Sequence, residues 1–168
     1  LMIPNRIVMS PMVTHYATDN GTVTQRNIDY YVERAKGGIG LITVEATFVD
    51  MASLEYHMLG IYDDKMIPGL RKLTDAVHKA GGLLSIQIIH KGRLAKTATT
   101  FVRPVSASGI PDMGEVPREL SVQEVKELVE KFGQAARRAK GAGFDAVEIH
   151  MAHGYIINQF LSPYSNKR

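Results

Sequence analysis

Residues 83–89 read LLSIQII, and residues 145–149 read DAVEI with His150 directly after them. Because side chains alternate across a strand, each stretch has one apolar face and one face that carries polar groups. The polar side chains are Ser85, Gln87, Glu148 and His150, and the apolar ones are Ile86, Ile88, Val147 and Ile149. An open parallel sheet with helices on both faces is usually apolar on both. Two α/β folds compete, an open doubly wound sheet and a (β/α)8, or TIM, barrel, and the two stretches favour the barrel.

Strands and helices alternate on either side of these stretches. Two further strands are predicted at residues 6–9 (RIVM) and 40–49 (GLITVEATFV). Helices are predicted from Thr24 to about Lys36, over residues 64–80 with Pro68 in the first turn, from the Ser121/Glu124 capping box to Gly141, and over residues 156–161. This alternation indicates a parallel sheet with right-handed crossovers. The usual dinucleotide fingerprint of a doubly wound sheet is absent.

The predicted elements make only four of the eight β/α units that a barrel needs. We therefore expect residues 1–168 to be the N-terminal half of a truncated barrel domain, with open edges at its first and last strands. A second copy, in a homo-oligomer, or the missing half would cover those edges. Residues 90–120 are rich in Pro, Gly, Ser and Thr and are expected to form a loop with a short hairpin.

The composition excludes several classes of function. The chain has 168 residues, no cysteine and a net charge of +3, with 20 basic residues scattered among 17 acids. Disulfides, thiolate metal sites and cysteine nucleophiles are therefore excluded, and no basic patch indicates a nucleic-acid partner. No stretch has the apolar length of a membrane span, and residues 1–4 do not resemble a signal peptide. We expect a soluble, cytoplasmic protein.

The densest group of chemically active side chains is His150-x-x-His153-x-Tyr155, where a strand ends. Two imidazoles can polarise a carbonyl oxygen, and a phenol can deliver a proton to a carbon that becomes basic. Equally, one histidine could be a structural core group and Tyr155 a packing residue. A zinc site with His90 as third ligand is a further alternative, although no carboxylate-rich partner motif is visible.

Four other residues in or just after the predicted strands are candidates for binding. The amide of Gln87 both donates and accepts, which suits a ring edge with alternating carbonyl and N–H groups, although neighbouring backbone could equally satisfy it. Lys91 and Arg93 could attract an anionic group, or could be solvated and ion-paired respectively. Met12 is more often a core residue than a cofactor contact.

Together the segments resemble the old yellow enzyme family, especially its branch of 2-enoate and 2,4-dienoyl-CoA reductases. The stretches that carry the resemblance are residues 5–12 (NRIVMSPM), 30–45 (YYVERAKGGIGLITVE), 85–93 (SIQIIHKGR) and 141–168 (GAGFDAVEIHMAHGYIINQFLSPYSNKR). The last stretch is the most specific of the four, and the resemblance spans the whole chain.

The resemblance implies a set of site residues for an FMN cofactor and its substrate. Pro11 and Met12 would lie along the flavin ring, Ala46 at its reactive edge and Gln87 at its pyrimidine portion. His150 and His153 would hold the substrate carbonyl, and Tyr155 would be the proton donor. Val13 departs from the family pattern, because Thr or Cys often follows Pro-Met there and tunes the flavin.

The implied activity is that of an NAD(P)H:flavin oxidoreductase, an ene-reductase that reduces the C=C bond of an α,β-unsaturated carbonyl compound. The flavin phosphate site, and the iron–sulfur cysteines of the reductase branch, would lie in the missing half. An alternative from a different functional class is a non-catalytic half-barrel that serves as an assembly module and binds no flavin. A more distant alternative is a metal-dependent barrel hydrolase that uses the histidine cluster.

Overall fold

A computed structural model describes residues 1–112 and 114–168 of the chain. The strands are β1 (Val8–Met9), β2 (Leu41–Phe48), β3 (Leu84–Ile89), β4 (Val105–Ser106), β5 (Arg118–Glu119) and β6 (Ala146–Ile149). The helices are α1 (Gln25–Lys36), α2 (Ile67–Lys79), α3 (Thr97–Thr100), α4 (Val122–Gly141) and α5 (Ile156–Leu161). The main strands and helices therefore alternate as predicted, with boundaries that agree to within a few residues.

Four of the strands form one parallel sheet in the order β1-β2-β3-β6. Parallel pairing places all their carboxyl ends at one edge, so the candidate residues near the predicted strand ends lie on the same side of the sheet. The apolar sides of β2 and β3 pack against α1, α2 and α4 and form the main core. Ile86 and Ile88 belong to this core, as their predicted face requires. The sheet thus directs its polar face toward the space that a closed barrel would enclose.

Side-chain caps explain where two of the helices begin. Thr24 accepts a hydrogen bond from the backbone N–H of Asn27, whose side chain accepts in turn from the Thr24 N–H. Ser121 and Glu124 form the same reciprocal arrangement at the start of α4, which confirms the predicted capping box. Pro68 lies in the first turn of α2, where its missing N–H has no intrahelical partner to lose.

The stretch between β3 and α4 has more regular structure than the predicted loop. It contains a 3-10 turn at Gly92–Leu94, the short helix α3, and the paired strands β4 and β5, which run parallel rather than as a hairpin. The one antiparallel feature among its described residues is a bridge between Asp112 and Glu115. Met113, within the predicted loop, lies outside the described residues. Among the described residues, no helix is long and apolar enough to cross a membrane.

Candidate functional site

A cavity of about 350 Å³ opens at the carboxyl ends of the parallel strands. Its lining residues are Pro11, Val13, His15, Ala46, Phe48, Glu55, Met58, Gln87, Ile89, Lys91, His150, His153 and Tyr155. Six of the seven residues predicted for the site are therefore brought together. The seventh, Met12, is 57% exposed and does not line the cavity, whereas its neighbours Pro11 and Val13 do.

Gln87 lies on β3 with its amide at the cavity wall. Its Nε2 donates to Glu148 Oε1 at 2.6 Å, across the neighbouring strand β6. This bond fixes the orientation of the amide, and none of the described residues donates to Gln87 Oε1. A hydrogen-bond acceptor therefore remains for an N–H group in the cavity, such as the ring N–H of a flavin. Pro11, which follows β1, and Ala46, near the end of β2, line the cavity beside it with small side chains.

His150, His153 and Tyr155 form a compact aromatic cluster on the cavity surface. The centroid of the His150 ring lies 5.1 Å from that of His153 and 4.7 Å from that of Tyr155. Burial, and next the neighbouring His153, lowers the pKa of His150, so this imidazole is neutral at pH 7. Its Nδ1 accepts the backbone N–H of Ala152 at 3.3 Å. A neutral ring with Nδ1 as acceptor carries its proton on Nε2, which leaves one N–H to donate to a ligand oxygen.

The loop that carries His153 has an uncommon backbone conformation. His153 has φ 57° and Gly154 has φ 75°, so two consecutive residues lie in the left-handed region. Residues other than glycine are uncommon in this region, and they keep this conformation where the surrounding structure holds them in it. The Gly154 N–H donates to Asn158 Oδ1 at 3.0 Å, and its carbonyl accepts from Gln159 Nε2 at 2.6 Å. Both partners lie on α5, which therefore holds the histidine loop.

Gln159 is a site-organising residue that the sequence analysis missed. Its Nε2 donates to the carbonyls of Gly154 and Lys91, and its Oε1 accepts from Arg93 N and Ser106 Oγ. The side chain is almost fully buried, and all four hydrogen-bonding positions of its amide are used. One side chain thereby joins the loop after β3, the histidine loop and β4.

Glu45, within β2, holds the segment that follows β1. Its carboxylate accepts from the backbone N–H of Thr14 at 2.7 Å and from Thr14 Oγ1 at 2.8 Å. Asn27 Nδ2 donates to the same group, and the hydroxyl of Tyr31 accepts the Glu45 N–H. Burial raises the pKa of Glu45, and the hydrogen bonds from Thr14 oppose that shift. This arrangement fixes the position of Pro11 and Val13 at the cavity.

His90 takes no part in the cavity. It is buried behind the site, where its Nδ1 accepts the Gly92 N–H at 3.0 Å and its Nε2 lies 3.8 Å from Asp50 Oδ2. Burial lowers the pKa of His90 to about 4, with the charge of Asp50 as the opposing influence. Within residues 1–112 and 114–168, no group of three or more His, Asp and Glu side chains could hold a metal ion. This geometry does not favour the zinc alternative.

Two basic residues after β3 are ion-paired. Lys91 pairs with Glu55, and the Lys91 side chain is only 13% exposed, so the solvated alternative is wrong. Arg93 Nε lies 3.0 Å from Asp112 Oδ2, which confirms the predicted structural ion pair. Only Lys91 of the two lines the cavity.

Comparison with known proteins gives consistent matches. The sequence model of the NADH:flavin oxidoreductase / NADH oxidase family matches residues 1–168. The chain is 47% identical over 173 residues to an NADH oxidase of Thermoanaerobacter brockii, which covers 100% of this chain and 27% of that protein. It is 44% identical over 169 residues to an NADPH dehydrogenase of Listeria monocytogenes, covering 99% and 49% of the two chains. The structure of an old yellow enzyme homologue from Zymomonas mobilis matches with a TM-score of 0.91 and 35% identity, covering 98% and 49%.

The chain therefore spans about a quarter to a half of the length of these proteins. The structural match confirms the predicted fold class, since the parallel sheet and its helices correspond to about half of a barrel of this kind.

Proposed function

Because the chain belongs to the NADH:flavin oxidoreductase / NADH oxidase family, which includes the old yellow enzymes, we propose that the protein is an FMN-dependent ene-reductase. When bound, FMN would supply the hydride transfer from NADH or NADPH to an α,β-unsaturated carbonyl compound. The names of two relatives, NADH oxidase and NADPH dehydrogenase, support a nicotinamide as the reductant.

One observation carries the proposal: a single cavity joins a ring-binding wall to a carbonyl-binding wall. Pro11, Ala46 and Gln87 line it from three adjacent strand ends, and His150 and Tyr155 line it from beyond β6. The unengaged acceptor of Gln87 and the low bulk of Ala46 fit the polar edge of a flat flavin ring. FMN binding at Pro11, Met12, Ala46 and Gln87 is accordingly part of the proposal, although Met12 would have to act from outside the cavity lining.

His150 and His153 bind and polarise the carbonyl oxygen of the substrate. The neutral His150 ring donates from Nε2, and stabilises the oxygen as negative charge develops on it. Tyr155 donates its phenolic proton to the α-carbon, which becomes basic in the same step. The apolar side chains Phe48, Met58 and Ile89 line the same space and limit access of water to the reacting atoms.

We further propose that residues 1–168 form the N-terminal half of the catalytic barrel. The edge strands support this, since Val8 on β1 is 54% exposed and Ile149 on β6 is 51% exposed. The remaining strands of the barrel would cover these edges, and would supply the flavin phosphate site. Any iron–sulfur cluster of the reductase branch would also be held there, because these residues include no cysteine.

Replacing Tyr155 by Phe in the full-length, FMN-loaded protein tests the proton-donor role. We expect alkene reduction to slow by roughly 10²-fold or more, the usual contribution of a positioned acid, while flavin reduction by NAD(P)H stays within about twofold. The two half-reactions are followed separately by stopped-flow absorbance. Tyr164→Phe is the control, because that tyrosine is 67% exposed and does not line the cavity. Equal slowing of both half-reactions would remove Tyr155 from the donor role.

A further inference from the structure

Lys91 lines the cavity on the side formed by the loops that follow β2 and β3, and its ammonium group carries a positive charge. It follows β3, and Glu55 lies in the segment after β2, so the ion pair joins two neighbouring strand ends. The backbone of Lys91 is fixed, because its carbonyl accepts from Gln159 Nε2 at 3.1 Å. The adjacent Gly92 lies so close to Gln159 that an added Cβ would be 2.3 Å from Gln159 Oε1. The backbone from which the Lys91 side chain extends is therefore held in place.

The ammonium has more donors than the protein uses. A lysine offers three N–H groups, and Glu55 is the one described residue that accepts from Lys91 Nζ. The remaining donors lie on a side chain that lines the cavity and is 13% exposed. A cation with unused donors in a partly buried space is a binding site for an anionic oxygen group.

Glu55 is the more exposed partner of the pair. Its side chain is 35% exposed, and it borders a second, mainly apolar groove as well as the main cavity. Burial is the largest single influence and opposes the ionisation of Glu55, but the hydrogen bond from Lys91 and the charges of Lys91, Lys96 and His15 together outweigh it and lower the pKa of this carboxyl. The carboxylate therefore holds Lys91 when no ligand is bound, and can turn to solvent when a ligand anion replaces it.

We propose that Lys91 is an anion-binding residue that sets ligand specificity in the cavity. Its ammonium takes an anionic oxygen of the bound molecule, either a carboxylate on the unsaturated substrate or a phosphate of the nicotinamide coenzyme. Glu55 competes with that anion for the same donors. The inference rests on the proposed function, because it assumes that substrate and coenzyme bind in this cavity.

The test compares charged and uncharged ligands in the full-length holoenzyme. Dissociation constants of 4-hydroxybenzoate and of its methyl ester are measured from the change in the flavin absorbance spectrum. For the coenzyme, KM in flavin reduction is measured with NADH and with 1-benzyl-1,4-dihydronicotinamide, which carries no phosphate. The variants are Lys91→Met and Glu55→Gln, with Lys72→Met on the exposed surface of α2 as the control.

Lys91→Met should weaken one of the charged ligands by roughly tenfold or more, the effect of losing a charge-assisted hydrogen bond, and leave its uncharged counterpart unchanged. Glu55→Gln should strengthen the same charged ligand, because a competing negative charge is removed. The opposite signs separate an electrostatic role from damage to the fold. Loss of 4-hydroxybenzoate affinity identifies a substrate carboxylate, and a raised KM for NADH identifies a coenzyme phosphate.

Equal effects on charged and uncharged ligands, or no effect on any of them, would overturn the assignment of Lys91 while leaving the proposed function intact. If none of the ligands perturbs the flavin spectrum of the wild-type protein, the proposed function itself is refuted, and this inference with it.

Discussion

Replacing Gln159 by Met removes the amide that joins three loops around the site and keeps the length of the side chain. Four hydrogen bonds are lost, with Gly154 O at 2.6 Å, Ser106 Oγ at 3.0 Å, Lys91 O at 3.1 Å and Arg93 N at 3.2 Å. At about 1 kcal/mol for each bond, the free energy of unfolding should fall by about 4 kcal/mol. That is a large fraction of the roughly 5–15 kcal/mol that stabilises a typical domain.

The loss is measured as the change in unfolding free energy in urea, or as the fall in Tm where unfolding is irreversible. Gln123→Met is the matched control, because Gln123 is exposed on α4 and, among the described residues, its side chain donates to Glu127 alone. The control should change the unfolding free energy by no more than about 0.5 kcal/mol. If Gln159→Met costs less than about 1 kcal/mol, the amide does not organise the loops, and the reasoning about the histidine loop is wrong.

Two further predictions concern the same region. Since burial lowers the pKa of His90 from 6.5 to about 4, the folded state disfavours its charged form, and stability should decrease by roughly 3 kcal/mol as pH falls from 6.5 to 4. Urea unfolding across that range should show a steeper pH dependence in wild type than in His90→Gln; parallel profiles would refute this. Gly92→Ala should lower the unfolding free energy by about 1–2 kcal/mol or more, because Gly92 has φ 62° and faces Gln159. The control Gly133→Ala, in open space on α4, should raise it by about 0.5–1 kcal/mol, and similar signs for both glycines would contradict the backbone argument.

Local patterns predicted most of the fold because they report local physics. The caps at Thr24 and Ser121 satisfy backbone N–H groups within one helical turn, so they can be read from neighbouring residues. The alternation around Gln87 likewise places its side chain on the polar face of β3. Because parallel strands end at a common edge, the predicted site residues had to lie near one another.

Interactions between distant segments were not predictable in the same way. Three of the four groups bonded to the Gln159 amide precede it by 53 to 68 positions, and no local pattern marks such partners. The pair of Lys91 and Glu55 spans 36 positions, so Lys91 alone gave no choice between a solvated and a paired side chain. At Met12 the regular alternation of β1 has already ended, and the sequence does not indicate which of three neighbouring side chains turns inward.

The left-handed backbone at His153 restricts which amino acids evolution can place there. Apart from glycine, the residues most enriched at such φ angles are Asn, Asp and His. Of these, only Asn and His can donate a hydrogen bond from the side chain at neutral pH, because an ionised Asp only accepts. Chain geometry and the proposed recognition of a carbonyl therefore permit the same two residues at position 153.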